Sequence, residues 1–252
     1  MSFLTDAEAV IQALNAYQRD SIAGRLPVLQ QRPLEQIITQ LDLAGHVLRG
    51  GMGGESLTAF LDRYFTFTNH LHNPGFIGHQ VVVPYYSGAL GSLIDGFTGN
   101  SMAVYETGPG ATAIEYFLIN WMLEKIGWTP QPTDLNQRIK GGAFGGGVRT
   151  HGGTLANTTA LLAARAHAAP DAWQHGAPGD LALLVSPVAH YSMARAAGIL
   201  GVGQQAVIPL EVDERGAIIP DGLERAYAKA QQMGKRVMAV VANACSTPVG
   251  VY

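Results

Sequence analysis

A glycine-rich loop that runs directly into a helix could bind a phosphate group. Residues 145–165 combine the loop with a stretch rich in alanine and leucine. At such a junction the first N–H groups of the helix lack helical partners, and the N-terminal end of the helix dipole carries a partial positive charge. Gly153 would let an anion approach the backbone closely, and the Thr154 hydroxyl could add a donor. We predict a phosphate site here, with an ordinary connecting loop as the alternative.

The loop does not match the common nucleotide-binding patterns. It is neither GxxxxGK[ST] nor a GxGxxG sequence that follows a strand. Nucleoside triphosphates and dinucleotides are therefore disfavoured, and another phosphorylated ligand is expected.

A histidine follows the apolar run 181–185 at the position where a strand would end. In open α/β sheets, ligands gather outside the carboxyl ends of the strands. His190 could therefore stack on a planar ring or donate a hydrogen bond to a bound group. A histidine that only packs locally is the alternative.

Two hydroxyl residues follow a second strand-like run in the same way. Ser246 and Thr247 come after the apolar run 236–242, and their side chains could hold polar groups of a ligand. The alternative is a turn that contains Pro248 and Gly250 and binds nothing.

The elements that position these residues follow a β/α/β/α/β rhythm. Short apolar runs alternate with helical patterns, in the order 181–186, 191–200, 206–210, 220–233 and 236–242. This rhythm predicts a three-layer α/β domain. Upstream, one set of apolar residues has the spacing of a buried helix face: Ile114, Phe117, Leu118, Trp121 and Met122.

The first 70 residues are predicted to form a separate helical segment. Thr5 and Glu8 have the spacing of a capping box before an apolar stripe. A second helix is expected over 34–47, ending at the glycine run 50–54. We predict a boundary near residue 70, with 71–252 as the first part of a larger domain.

Composition favours a globular protein with a small-molecule ligand. The 252 residues are 47% hydrophobic, and the net charge of −3 includes no block of Lys or Arg, so we expect no nucleic-acid partner. The single cysteine, Cys245, and a start without a basic and apolar leader predict a cytoplasmic protein. No apolar run approaches the roughly 20 residues that span a bilayer. We expect neither a membrane segment nor a metal site.

Six segments, in order, resemble the group II pyridoxal-phosphate-dependent amino-acid decarboxylases, which include glutamate, aromatic amino-acid and cysteine-sulfinate decarboxylases. The segments are 73–76, 102–115, 151–157, 189–201, 212–224 and 244–250. The resemblance implies the pyridoxal-phosphate-dependent transferase-like fold of type I, the aspartate aminotransferase-like fold. It also implies that this chain contains only the N-terminal half of that fold.

The resemblance assigns roles to individual residues. Gly153 and Thr154 would bind the phosphate of pyridoxal phosphate (PLP), and His190 would stack on its ring as a catalytic residue. Ser246 and Thr247 would lie near the cofactor, although Cys245 replaces the glycine that begins this turn in the family.

The resemblance also concerns the substrate and a second subunit. His79 and Gln80 are candidates for contacting the substrate side chain, because the segment after residue 73 lines the substrate end of the pocket in the family. Residues 1–70 resemble a helical segment that packs across a dimer, so we expect a homodimer.

The family's cofactor-binding lysine, and an aspartate that pairs with the pyridine nitrogen, lie beyond the matched segments. Four lysines are present, and none takes that position: Lys125, Lys140, Lys229 and Lys235. We therefore expect a longer parent protein and no activity from the 252 residues alone.

Three functions are weighed on this basis. The first is a decarboxylase that removes the α-carboxylate of an amino acid through a PLP imine. The second is a related aldehyde-lyase that acts on a phosphorylated amino alcohol, although the region of Tyr105 and Glu106 favours the decarboxylase. The third is a non-catalytic subunit that pairs with a full-length partner. The sequence does not identify the substrate beyond an amino acid.

Overall fold

The structure, a computed structural model, describes residues 2–78, 80–134, 136–137 and 140–251. It divides into two compact units, Met1–Asn100 and Ser101–Tyr252. The predicted boundary near residue 70, between an N-terminal helical segment and a larger domain, stays a prediction.

The first unit is helical. Its helices are α1 (Phe3–Ile22), α2 (Leu34–Gln40), α3 (Leu43–Leu48), α4 (Glu55–Thr66) and α5 (Tyr86–Thr98). The predicted capping box is wrong, because α1 begins earlier and Ser2 is its N-cap, with a hydroxyl that accepts the Thr5 N–H at 3.3 Å. The helix predicted over 34–47 is divided in two, because Asp42 has a φ of 50° that a helix cannot accommodate.

The second unit contains a parallel sheet. Its elements are a 3₁₀ turn (Tyr105–Thr107), α6 (Pro109–Lys125), α7 (Gly153–Ala168), α8 (Ala172–His175), β1 (Leu181–Val185), α9 (Ser192–Ile199), a 3₁₀ turn (Gln204–Ala206), β2 (Val207–Pro209), α10 (Pro220–Gln232) and β3 (Arg236–Val241). The strand order is β2, β1, β3, and both pairings are parallel. The predicted rhythm of strands and helices is confirmed.

Strand β1 lies at the centre of three layers. All five of its residues are buried. Leu183 and Val185 pack in one cluster with residues of α7 and α9, whereas Ala182 and Leu184 pack in another with residues of α10. Successive side chains of a strand point to opposite faces, so a parallel strand covered on both sides is apolar throughout. The three-layer α/β/α arrangement is therefore confirmed.

The predicted buried face of α6 is wrong. Phe117 is 66% exposed and Trp121 is 49% exposed, while Leu123, outside the predicted face, is buried. The helical spacing identifies an apolar stripe correctly, but it does not supply the element that covers the stripe.

Membrane-spanning helices and metal-binding clusters are both absent from the described ranges. No helix there is both long and apolar enough to cross a membrane. No group of three or more His, Cys, Asp or Glu side chains there is arranged to hold a metal ion.

Candidate functional site

The start of α7 is open to an anion. The N-cap is Gly152, and no described side chain caps the helix. A Cβ atom placed on Gly152 or Gly153 would meet no atom within 4 Å, so there is room beside the backbone. Thr154, in the first turn, is half-buried. Uncapped N–H groups with free space beside them are suited to a phosphate.

A chain of hydrogen bonds joins this helix to His190. The Nδ2 amide of Asn157 donates to the Ser192 hydroxyl at 2.9 Å. The same hydroxyl lies 2.8 Å from Nδ1 of His190. Asn157 follows Gly153 by about one helical turn, so both lie on the same side of α7. The structure therefore connects the predicted phosphate loop with the predicted ring-stacking histidine.

The imidazole of His190 lies at the mouth of a cleft. The centroid of the His190 ring is 4.1 Å from the centroid of the Tyr191 ring. The Arg195 guanidinium lies over the Tyr191 ring, 4.7 Å from its centroid. His190 is exposed. The cleft, of about 340 Å³, is lined by His190 and by the ends of β1 and β2, including Val185 and Pro209. A planar group could therefore reach the imidazole at the carboxyl edge of the sheet.

Ser246 has a buried hydroxyl that makes no hydrogen bond within the described part of the chain. The residue is 3% exposed. Its backbone is fixed by a turn in which the Gly250 N–H donates to the Ser246 carbonyl at 2.9 Å. Buried hydroxyls are normally hydrogen-bonded, so this one has the capacity to hold a polar ligand atom. Thr247 beside it is exposed.

The turn that contains Ser246 lies close to the loop that leads to His190. Gly216 is the point of contact, because a Cβ atom placed there would lie 3.4 Å from Val249 Cγ2 and 3.7 Å from Val188 Cγ1. The two loops follow β3 and β1, which are paired in parallel. Ser246 and His190 therefore lie at the same edge of the sheet.

The two predicted substrate residues, His79 and Gln80, belong to the segment that follows residue 73. His79 lies outside the described residues. Gln80 is exposed, with a φ of 47°, and belongs to the first unit. A substrate role for either residue stays a prediction.

The lysines nearest to the sheet lie at its amino edge. Lys235 precedes β3 and donates to the Gly179 carbonyl just before β1. Lys229 is in the last turn of α10, which leads into β3. Both are at the edge opposite to His190. Lys125 ends α6, with its Nζ 5.5 Å from the centroid of the Trp121 ring.

Two ion pairs join elements of the second unit. Arg236 donates to Asp180 at 2.6 Å, and this hydrogen bond keeps the pKa of the Asp180 carboxyl below its ordinary value. The pair joins the starts of β1 and β3. Arg225 lowers the pKa of Glu211 in the same way, and this pair joins α10 to the segment after β2. Their role is structural.

Sequence reasoning missed Asn157 and Ser192. Both lie in segments that it singled out, but neither was assigned a role. A signal was present, because asparagine is a poor residue for the interior of a helix rich in alanine and leucine. Such a residue is expected to make a specific hydrogen bond.

Comparisons with known proteins give a consistent result. The family described as "Pyridoxal-dependent decarboxylase conserved domain" matches residues 62–252. A glutamate decarboxylase-like protein of Gibberella zeae is 33% identical over 181 residues, which are 71% of this chain and 32% of that protein. The acidic amino acid decarboxylase GADL1 of Mus musculus is 29% identical over 228 residues, 89% of this chain and 38% of that one.

A solved structure agrees with the sequence relatives. The crystal structure of mouse CSAD matches with a TM-score of 0.74 and 26% identity, over 96% of this chain and 49% of that one. The fold is therefore the aspartate aminotransferase-like fold of PLP-dependent decarboxylases. The chain spans less than half the length of each of these three proteins.

The residues at the carboxyl edge of the sheet suit PLP. The uncapped start of α7 is suited to its phosphate, the exposed imidazole of His190 to its ring, and the unpartnered Ser246 hydroxyl to one of its polar atoms. With this agreement between geometry and comparison, the chain belongs to the pyridoxal-dependent decarboxylase family, whose cofactor is pyridoxal phosphate.

Proposed function

We propose that the polypeptide containing these 252 residues removes the α-carboxylate of an amino acid as carbon dioxide, with PLP as cofactor. One observation in particular supports this: the Asn157 and Ser192 hydrogen bonds tie His190 to the uncapped start of α7. A phosphate and a planar ring that belong to one molecule need two such sites on one rigid frame. The proposal concerns the whole polypeptide, because the chain spans less than half of its relatives.

The phosphate is the anchor in this proposal. The N–H groups of Gly153 and its neighbours in the first turn of α7 donate to it, with the Thr154 hydroxyl as a further donor. These donors are fixed by the helix before the ligand arrives, so binding costs little ordering of the protein. The helix dipole adds attraction for the negative charge.

His190 and the hydroxyl residues orient the ring. When bound, PLP supplies a conjugated ring that accepts electron density from the bond that breaks. The flat face of the His190 imidazole packs on that ring and excludes water from one side of it. Ser246, and Thr247 beside it, donate to polar atoms at the ring's edge.

Two further groups are proposed to lie outside these 252 residues. They are the family's cofactor-binding lysine and the aspartate that pairs with the pyridine nitrogen. The amino-edge positions of Lys229 and Lys235 support this, because a lysine that reacts with PLP has to reach the opposite edge. The 252 residues alone are therefore proposed to be inactive.

The test combines a spectrum with product analysis. The full-length polypeptide is incubated with PLP, and bound cofactor is measured by its visible absorbance after removal of the free form. Acidic, aromatic and diamino acids are then supplied, and released carbon dioxide is measured. A folded protein that shows no cofactor absorbance would contradict the proposal. An aldehyde and a phosphoamine, formed from a phosphorylated amino alcohol without carbon dioxide, would favour the aldehyde-lyase.

The role of His190 has its own comparison. His190→Phe keeps a flat ring, whereas His190→Ala removes it. We expect the phenylalanine variant to keep most of the PLP affinity, and the alanine variant to lose about twofold to tenfold, since a ring contact contributes about 0.5–1.5 kcal/mol beyond the area it buries. Equal affinities in the two variants would contradict the stacking role.

A homodimer is proposed as the assembly, with residues 1–70 packing across it. Apolar side chains along α1 support this, because Phe3, Ile11 and Leu14 are all exposed. Light scattering of the full-length protein measures the mass directly. A monomer would contradict the homodimer. A stable complex with a different, longer subunit would favour the non-catalytic alternative.

A further inference from the structure

The protonation pattern of His190 follows from its two contacts with Ser192. The backbone N–H of Ser192 points at Nδ1 of His190 with an N···N distance of 3.3 Å. A backbone N–H can only donate, so in this contact Nδ1 accepts and bears no proton. A neutral imidazole bears one proton, which is then on Nε2, at the edge of the ring away from Ser192.

The Ser192 hydroxyl acts in the same direction. Its Oγ accepts a hydrogen bond from the Asn157 amide at 2.9 Å, which leaves its own proton free for Nδ1 at 2.8 Å. The reverse direction would need a proton on Nδ1, where the backbone N–H of Ser192 already points. Ser192 is fully buried, so water does not compete for the hydroxyl.

We infer that Asn157 and Ser192 are positioning residues that hold His190 as its Nε2–H tautomer and fix the orientation of the ring. Two donors from Ser192 on one nitrogen, with the Tyr191 ring 4.1 Å away, restrict rotation of the imidazole. Asn157 is on the helix whose first turn is proposed to bind phosphate, so one helix orients both ends of the site. The expected effect of these residues on PLP binding rests on the proposed function, whereas the assignment of the tautomer does not.

The test measures the tautomer by nitrogen NMR. The full-length protein is labelled with ¹⁵N at histidine, and the signal of His190 is assigned by its loss in His190→Gln; these 252 residues contribute eight histidines to the spectrum. We expect a protonated Nε2 and an unprotonated Nδ1, with or without PLP. A protonated Nδ1 in the unsubstituted protein would overturn the inference.

Two variants change different hydrogen bonds in the series from Asn157 through Ser192 to His190. Ser192→Ala removes the hydroxyl donor and leaves only the longer backbone contact, so the other tautomer should gain population. Asn157→Asp places a carboxylate where the amide was. It accepts the hydroxyl proton, leaves the Ser192 oxygen free to accept from Nδ1, and should shift the population further. Asn136→Asp makes the same change of charge at an exposed position and should leave His190 unchanged.

The PLP affinity provides a second readout. Both positioning variants should weaken binding by about threefold to tenfold, since each disturbs one hydrogen bond. Circular dichroism shows whether each variant folds. The inference is overturned if both folded variants keep the tautomer of the unsubstituted protein. If no protein in the set binds PLP, the proposed function fails, while the tautomer result still decides the inference.

Discussion

Nδ2 of Asn157 and Oγ of Ser192 lie 2.9 Å apart, although 35 residues separate them in the chain. The bond crosses from α7 to α9 within the helical layer on one face of the sheet. Because Ser192 is fully buried, its oxygen has no water to replace a lost donor. The bond therefore contributes to stability as well as to the orientation of His190.

Replacement of Asn157 by alanine should destabilise the fold. We expect the free energy of unfolding to fall by about 1–2 kcal/mol, because a buried hydroxyl oxygen loses its donor. Urea denaturation measures the change. Thr159→Ala is the control, since that hydroxyl donates only to the Leu155 carbonyl of its own helix. It should cost no more than about 0.5 kcal/mol, and equal losses in the two variants would contradict the prediction.

Gly153→Pro should separate phosphate binding from folding. Proline is well tolerated at the first position of a helix, and Gly152 before it has the extended backbone that proline requires. The substitution nevertheless removes one N–H donor. We expect an unchanged fold and a PLP affinity about tenfold or more lower, as for loss of a hydrogen bond to a charged group.

Gly153→Ala is the matched variant for that experiment. It keeps the N–H, and its Cβ atom would meet no protein atom within 4 Å. Equilibrium dialysis with PLP should therefore show a larger loss for the proline variant. A proline variant that binds as tightly as the alanine variant would show that this N–H is not a phosphate donor.

Ser246→Ala should change stability and cofactor affinity in opposite directions. The buried hydroxyl has no hydrogen-bond partner among the described groups, so its removal should raise the free energy of unfolding without PLP, by up to about 1 kcal/mol. The same change should weaken PLP binding by about tenfold. Ser21→Ala is the control, because Ser21 is also buried with an unpartnered hydroxyl but lies in the first unit. It should change stability alone. An unchanged PLP affinity in Ser246→Ala would exclude the proposed contact.

The acid sensitivity of the first unit should depend on Asp20. Hydrogen bonds from Arg19 and Arg25 lower the pKa of this carboxyl from 3.8 to about 2. A lowered pKa means that the charged form stabilises the fold above pH 3.8, and that this contribution is lost as the pH falls towards 2. Asp20→Asn should therefore flatten the loss of stability between about pH 5 and about pH 2. Thermal unfolding at several pH values measures the slope, and identical slopes would contradict the prediction.

The sheet could be predicted from sequence because its signal is local and strong. The run from Leu181 to Val185 is apolar throughout, and helices cover both of its faces. The stripe of α6 is equally clear in the sequence, yet Phe117 and Trp121 are exposed. A periodic pattern indicates which face of a helix is apolar, but the element that covers it is determined elsewhere in the chain.

The candidate site was predictable only in part. Gly153 and His190 follow recognisable rules for loops before helices and for strand ends. The bond between Asn157 and Ser192 depends on how two helices pack on the same sheet, which no local pattern encodes. The unpartnered hydroxyl of Ser246 is a property of the packed turn, and serine alone does not indicate it.

The central position of β1 has a consequence for the order in which the molecule opens. Strand β1 pairs with a strand on each side, and its side chains are buried in both layers. Its amide hydrogens should therefore exchange with deuterium more slowly than the amide hydrogens of the loops. His190 is attached to this slowest-exchanging strand by only a short loop. Local opening of loops elsewhere in this unit would therefore leave in place the strand that carries the His190 loop, and an incoming cofactor would meet that edge of the sheet already formed.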